Sequence, residues 1–427
     1  MATLLLSCAG CGEQKLISED YQRGNSRSYK MNPIMRTDKG FYYSNNAFSE
    51  LGLCYYDAKN GKSMYLCNKP ECRHDGNEFC AATSDKYRTM GTVMYSGSLY
   101  INVLEETDTS YQYKLLRASL DGSSLSEVVT YFELDNVGVV PVYFNEISRS
   151  MAIHRNKVFL PYRLANTDNS GVGYTGTAIY DMETKEITSL GEIDESLETW
   201  VDNFCGYGDY MYFITANGYK KELFRYSYTD ASVEKVKLGS GFMGSYAVYD
   251  DNTIFFTKKP GELYVYKYDT GKSTAVENEE WLGLWSEVRT ENGLEYQKVT
   301  TPSLDSVTCD GEYVYVPENY SLEQQLYPLT VFYHEINGER EEIVFDYAEI
   351  NILDGEGKYV NQVKVSAKEF LGYDECFLLH FTEDAVYIQT PIMVYECSKE
   401  DFIAGNANFK EACSLEMGIY GREENEE

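Results

Sequence analysis

Three cysteines and one of the four histidines of the chain fall inside a single stretch, CNKPECRHDGNEFC at 67–80. The spacing is C-x4-C-x-H-x5-C, through Cys67, Cys72, His74 and Cys80. Three thiolates and one imidazole complete a tetrahedral zinc shell, at intervals close to those of structural sites. In an extended segment Cys72 and His74, two apart, point to the same side. Pro70, Gly76 and Asn77 supply the bends that fold the ligands together. Two other chemistries use the same atoms. A disulfide would join two of these cysteines, or one of them to Cys54, but it leaves His74 without a role. A Cys–His nucleophile needs a third group to orient the base, and the sequence names none. Structural zinc is the reading carried forward, with the disulfide as its rival. The stretch follows a hairpin, so it reads as a surface excursion whose loosening would leave the rest of the fold intact.

Other stretches offer weaker chemistry. GSGFMG at 239–244 matches a dinucleotide fingerprint, but strand-like residues lie on both sides of it. Phosphate binding of that kind needs a helix after the glycines, so the stretch reads as a loop between strands. No G-x-S-x-G elbow, H-E-x-x-H helix or P-loop is present. NTDNSGVG at 166–173 and DGEGK at 354–358 read as ordinary acidic turns. His154, His334 and His380 each sit inside an expected strand, where packing is the commoner role. Cys205 and Cys309 hold equivalent places ahead of aromatic strands and read as buried packing. In ENEEWLGLWSEVRTENGLEYQ, 277–297, Trp281 and Trp285 are four apart and would share one face of a short helix. An exposed pair of this kind makes a stacking platform for sugars or peptide side chains. These two tryptophans are the candidate ligand-binding residues.

The elements that carry these residues repeat. A Gly, Asn or Asp turn followed by an aromatic strand recurs at 39–44, 96–101, 155–160, 207–213, 250–256, 310–316 and 383–388. Each instance is followed by a strand, a polar turn and a strand. ELYVYKYDTGKSTAV at 262–276 is the clearest, with relatives at 51–67, 113–129, 177–190, 222–236 and 329–345. Asp-Gly, Asn-Gly and Thr-Gly supply the positive φ of tight hairpins. Period-two alternation marks half-buried strands. No long segment holds a 3.6-residue apolar period, and the 40 Tyr and 19 Phe favour strands. One small sheet cannot bury its own faces, whereas a ring of them buries both and leaves only short edges. The sequence therefore predicts an all-β fold, a β-propeller of seven blades, with six or eight open because the last unit is degenerate. Residues 21–420 form that single domain, with 21–37 as a candidate strand closing the ring onto the last blade. Residues 1–20 read as a signal remnant and linker, and 421–427 as an acidic tail.

The chain carries 37 basic against 68 acidic residues, a net charge of -31. Nucleic-acid affinity comes largely from Lys and Arg neutralising phosphates, so such a partner is excluded, and so is docking on anionic lipid by surface charge. No apolar run is long enough for a spanning helix. At the N-terminus, Leu5-Leu6-Ser7-Cys8 matches a lipoprotein lipobox with Cys8 as the lipidated residue.

LLSC at 5–8, the repeated strand–turn–strand units and CNKPECRHDGNEFC together resemble a group of clostridial (Firmicutes) cell-surface lipoproteins with a predicted β-propeller fold and a similar Cys, Pro, Cys-x-His, Cys signature. The resemblance extends over nearly the whole chain. It implies an extracytoplasmic propeller attached to the membrane through a lipid anchor, and an anaerobic host in which thiols are favoured over disulfides. It implies no activity. The expectation is a monomeric binding or scaffold module for a glycan, peptide or envelope partner. The alternative is an extracellular hydrolase or lyase acting on glycan, with carboxylates at the ring axis.

Overall fold

Each of the seven aromatic strands of the repeat becomes the second strand of an antiparallel sheet. The computed structural model describes residues 34–415 apart from short interruptions, the longest being 142–150, 319–331 and 367–377. Within them seven sheets follow one another along the chain, at 35–65, 87–135, 139–189, 200–235, 242–275, 308–366 and 378–414. They are the seven blades of a β-propeller, numbered here in that order. Helix is confined, among the described residues, to Leu190–Ile193, Lys399–Ile403 and one 3-10 turn.

Burial explains the order of strands within a blade. The second strand is covered almost completely, at eight of nine positions in Ser98–Glu106 and at all five in Ala385–Gln389. The fourth strand, such as Lys62–Tyr65 or Lys272–Ala275, is the exposed edge. The repeat strands are therefore covered on both faces, not half-buried as their alternation suggests. Each is flanked by a neighbouring blade on either side, so both sets of alternate side chains meet apolar surface.

The core is divided into seven clusters, and each joins two adjacent blades. Leu53, Leu66 and Ala82 of blade 1 meet Leu99, Ile101 and Leu116 of blade 2. Further clusters join blades 2 and 3, 3 and 4, 4 and 5, 5 and 6, and 6 and 7. The last, with Phe41 and Tyr43 against Tyr387 and Val394, joins blade 7 back to blade 1. Closure leaves each blade with both faces covered, which settles the blade number at seven.

Two expectations about the ring are corrected. Met35–Thr37 does not add a strand to the last blade: it pairs with Gly40–Ser44 inside blade 1. Blade 7 already holds four consecutive strands of its own, so the seam closes by side-chain packing. The hairpin at 329–345 is not the outer half of blade 6. Val314–Glu318 pairs with Tyr347–Leu353, and Tyr359–Ser366 completes the blade. The strands Phe332–Ile336 and Glu339–Glu342 instead join Leu284–Thr290 and Gly293–Val299 in an eighth sheet, built from two insertions around blade 6.

Candidate metal centre

The cysteine stretch lies at the outer edge of blade 1. Lys62–Tyr65 and Thr83–Ser84 both pair with the strand Leu51–Asp57, at its two ends. The chain therefore leaves the edge at Tyr65, makes an excursion, and returns to the same strand at Thr83. Leu66 N–H donates to Leu53 C=O and Leu53 N–H to Ala82 C=O, at 2.9 and 2.8 Å, which fixes the two ends side by side.

Within the excursion the four predicted ligands converge. One donor atom from each of Cys67, Cys72, His74 and Cys80 lies within 4.8 Å of all the others, and no other group of three or more such residues does so among the described residues. Cys80 Sγ and His74 Nδ1 are 3.5 Å apart, the donor spacing of about 3.5–4 Å that a tetrahedral shell with bonds of about 2.3 Å requires. The path differs from the expected extended one. Lys69 C=O accepts from Cys72 N–H at 3.1 Å, a turn with Pro70 at its second position. His74 then takes a left-handed conformation, φ 53, which a non-glycine residue holds only where its surroundings enforce it. Gly76 and Asn77, the other expected bends, lie outside the described residues.

Without a cation the surroundings favour the thiol over the thiolate. Thr83 N–H donates to Cys80 Sγ at 3.3 Å. Burial pushes the Cys72 thiol up to about 11, the His74 amide pulls it down, and Cys80 and Cys67 raise it again as like groups. That mutual opposition is what a bound dication reverses, because it takes all three sulfurs as anions. The Tyr65 ring stands 5.0 Å from the His74 ring and limits its rotation. The donor set and these outer contacts fit a closed zinc site.

The disulfide alternative does not form. Cys67, Cys72 and Cys80 are free thiols, and so is Cys54. Cys54 belongs to the cluster facing blade 7, whereas the other three pack on the side facing blade 2. Leu53 and Cys54 are consecutive in one strand, so their side chains leave by opposite faces, and Cys54 cannot reach the other cysteines.

The excursion is more deeply integrated than its surface position suggests. Cys80 and Ala82 are 3% and 0% exposed and belong to the core between blades 1 and 2, with Cys67 and Cys72 packed against it. Blade 2 also holds its base. Asn68 N–H donates to Gly122 C=O at 3.3 Å. A methyl group at Gly122, φ +68, would lie 2.7 Å from the carbonyl carbon of Leu66 and 2.8 Å from the nitrogen of Cys67. Gly122 was legible only as a hairpin turn residue. Its second role, letting the backbone of blade 1 approach, needs the two blades placed together.

The remaining candidates resolve differently. Leu284–Thr290 is a strand, so Trp285 sits opposite Tyr333 and Lys298 in the eighth sheet and not on a helix. Trp281 lies outside the described residues, as do Cys8, the first 33 residues and the acidic tail. His154 is fully buried, with Nδ1 3.0 Å from the Tyr228 hydroxyl. His380 Nε2 lies 2.8 Å from Gln389 Oε1. Cys205 and Cys309 are fully buried, as expected. In DGEGK, Asp354 Oδ1 accepts the amides of Glu356 and Lys358 at 2.9 and 2.8 Å, which is ordinary turn chemistry. GSGFMG leads into the strand Phe242–Asp250, as an inter-blade loop does.

Fold and site together define the class, a seven-bladed β-propeller with a Cys3His cluster on its first blade. No protein-family model and no curated protein matches the sequence. Among solved structures, YCF48 bound to D1 peptide is similar at 9% identity, over 87% of this chain and 91% of that one, with a TM-score of 0.39. A puromycin hydrolase is similar at 12% identity over 91% of this chain, TM-score 0.45, and this chain spans 54% of its length. An oligogalacturonate lyase from Vibrio parahaemolyticus is similar at 11% identity, over 66% of this chain and 72% of that one, TM-score 0.38. These likenesses are of fold and bring no ligand or activity to this chain.

Proposed function

We propose that this protein is an extracytoplasmic binding or scaffold module, held at the membrane by a lipid on Cys8, in which a structural zinc pins the first blade to the second. The observation that supports this reading is the donor set. Cys67, Cys72, His74 and Cys80 supply four protein ligands within 4.8 Å. Four protein ligands fill a tetrahedral shell and leave no position for substrate or activated water, so the ion stabilises and does not catalyse. The resemblance to clostridial surface lipoproteins supports the location, through LLSC at 5–8.

Metal content decides the centre. Protein purified without added metal should carry one equivalent of zinc, and a chelator should expose three further reactive thiols. Substoichiometric metal with the same thiols reactive before and after chelation would falsify the zinc reading. Because Cys80 and Ala82 belong to the core between blades 1 and 2, chelation should also raise amide exchange in the strand Ser98–Glu106, beyond the excursion itself. For the anchor, labelled palmitate should enter the wild-type chain in cells and be lost in Cys8→Ala, and labelling that survives this change removes Cys8 from the role. Ligand contact is assigned to the insertion carrying Trp281 and Trp285. Oligosaccharides or peptides that bind there should quench tryptophan emission, and a quench unchanged in Trp285→Ala would place the site elsewhere.

A further inference from the structure

The sulfurs of the candidate zinc shell are not equally protected. Cys80 is 3% exposed, belongs to the core between blades 1 and 2, and accepts the Thr83 amide at 3.3 Å. Cys67 and Cys72 are only half-buried. Among the described residues they are the only cysteines that reach solvent, since Cys54, Cys80, Cys205, Cys309, Cys397 and Cys413 are all buried. Oxidation follows thiolate character and exposure, so an ion that served stability alone would be best held by enclosed sulfurs. Here the two accessible sulfurs are neighbours in one shell.

Their placement suits a bond between them. Cys67 Sγ and Cys72 Sγ lie within 4.8 Å of one another, and a disulfide needs about 2.05 Å. The turn in which Cys72 N–H donates to Lys69 C=O folds the second cysteine back toward the first. Asn68, Lys69, Pro70 and Glu71, which separate the two, are all exposed, so the segment can tighten without moving packed side chains. Cys80 lacks that freedom. Just beyond it, Ala82 C=O accepts the Leu53 amide at 2.8 Å and Thr83 pairs with Gly52.

We propose that the centre is also a redox switch: a peroxide joins Cys67 and Cys72 in a disulfide, the zinc is lost, and the contact between blades 1 and 2 loosens. The inference rests on the zinc reading above. The Cys67 thiolate attacks one peroxide oxygen. The O–O bond breaks, hydroxide leaves, and the sulfur becomes a sulfenic acid. The Cys72 thiolate then attacks that sulfur, forming the S–S bond as the S–O bond breaks and a second hydroxide leaves. Two electrons have passed from the sulfurs to the peroxide, and two protons from solvent turn the hydroxides into water. Cys80 and His74 remain, and two ligands do not fill a tetrahedral shell. A reducing thiol reverses the step by exchange and restores the three sulfurs to the ion. The effect reaches blade 2 because Cys67 and Cys72 pack against the core that holds Leu99, Ile101 and Leu116.

The test takes the full chain as purified, measures its zinc, and titrates it with hydrogen peroxide while a chromophoric chelator reads the zinc released. Peptide mass spectrometry without reduction then locates the disulfide. One zinc per chain should be released with the loss of two thiols in 67–80, the bond should join Cys67 to Cys72, and Cys80 should remain open to alkylation in the denatured protein. Amide exchange in Ser98–Glu106 should rise on oxidation, and dithiothreitol with added zinc should reverse every change. A chain that carries no zinc before peroxide is added overturns the zinc reading and the switch together. Zinc that is present and stays bound while other thiols oxidise overturns the switch alone. So does release with Cys80 in the disulfide, release through a sulfinic acid that dithiothreitol does not restore, or exchange in Ser98–Glu106 unchanged by oxidation.

Discussion

His380 shows how one partly buried side chain sets a pH dependence. Burial lowers its pKa to about 4 from the ordinary value near 6.5, and the hydrogen bond to Gln389 only partly opposes this. Gln389 Oε1 also accepts from the amide of Ile34 at 3.0 Å, across the seam between blades 7 and 1. An amide oxygen can only accept, so His380 donates through Nε2, and its lowered pKa keeps the ring neutral near pH 7 in the folded protein. The unfolded chain binds a proton near pH 6.5 that the folded one does not bind until about pH 4. Stability from this group is therefore complete above pH 6.5 and falls as the pH drops through that window, by at most on the order of 3 kcal/mol. The 68 carboxylates titrate lower in the same range, so the comparison with a variant isolates the histidine. Melting curves from pH 7 to 4.5 should converge for wild type and His380→Gln as acid is added, because the variant lacks this loss. Parallel curves would show that the histidine is solvated.

At the scale of elements, the short helix Lys399–Ile403 explains how blades 6 and 7 are registered. Ser398 caps it, its Oγ accepting the amide of Asp401 at 3.1 Å. A lysine in the first turn of a helix opposes the dipole, and Lys399 stands there because it reaches across the interface. Its Nζ lies 2.8 Å from Asp310 Oδ2, and Asp310 is fully buried. Burial alone would raise the Asp310 pKa, but Lys399, the Tyr313 and Glu312 amides and the Tyr315 hydroxyl together hold it below the ordinary carboxylate value. Removing one member of a buried pair strands the other. Lys399→Met should cost about 3–5 kcal/mol, and adding Asp310→Asn should restore most of it. Denaturant unfolding of the two single variants and the double variant measures this coupling, and additive losses would mean that the pair is not a unit.

For the whole molecule the consequence of seven equal interfaces is that the seam is held as the others are. Phe41 meets Tyr387 edge-on with ring centres 5.8 Å apart, inside the cluster that joins blade 7 to blade 1. No strand crosses from one blade to the other there among the described residues, so the closure rests on this packing, on the Ile34–Gln389 and Ser63–Ser414 hydrogen bonds and on Arg36 over the Tyr387 ring. Phe41→Ala should therefore cost about 3–5 kcal/mol and raise amide exchange first in blades 1 and 7. Exchange rising uniformly around the ring would show instead that the seam opens only with global unfolding.

Much of this protein was legible along the chain because the signals are local. Strand and turn chemistry repeats within a few residues, so the seven second strands at 40–44, 98–106, 157–166, 210–217, 253–258, 314–318 and 385–389 fall where the aromatic pattern places them. The ligands Cys67, Cys72, His74 and Cys80 lie within one short excursion, so their spacing alone brought them together. Pairing between distant segments is a different matter. The hairpins at 332–342 and 347–366 carry the same turn chemistry, and only competition for the edge of Val314–Glu318 decided which one completes blade 6. Leu53 and Cys54 alternate within one strand, but which blade each faces depends on the closed ring. Gly122 against Leu66 and Lys399 against Asp310 are meetings of residues far apart in sequence. Local pattern decides what each segment becomes; the burial of both faces of every blade decides which segments meet, and that condition exists only once the ring is closed.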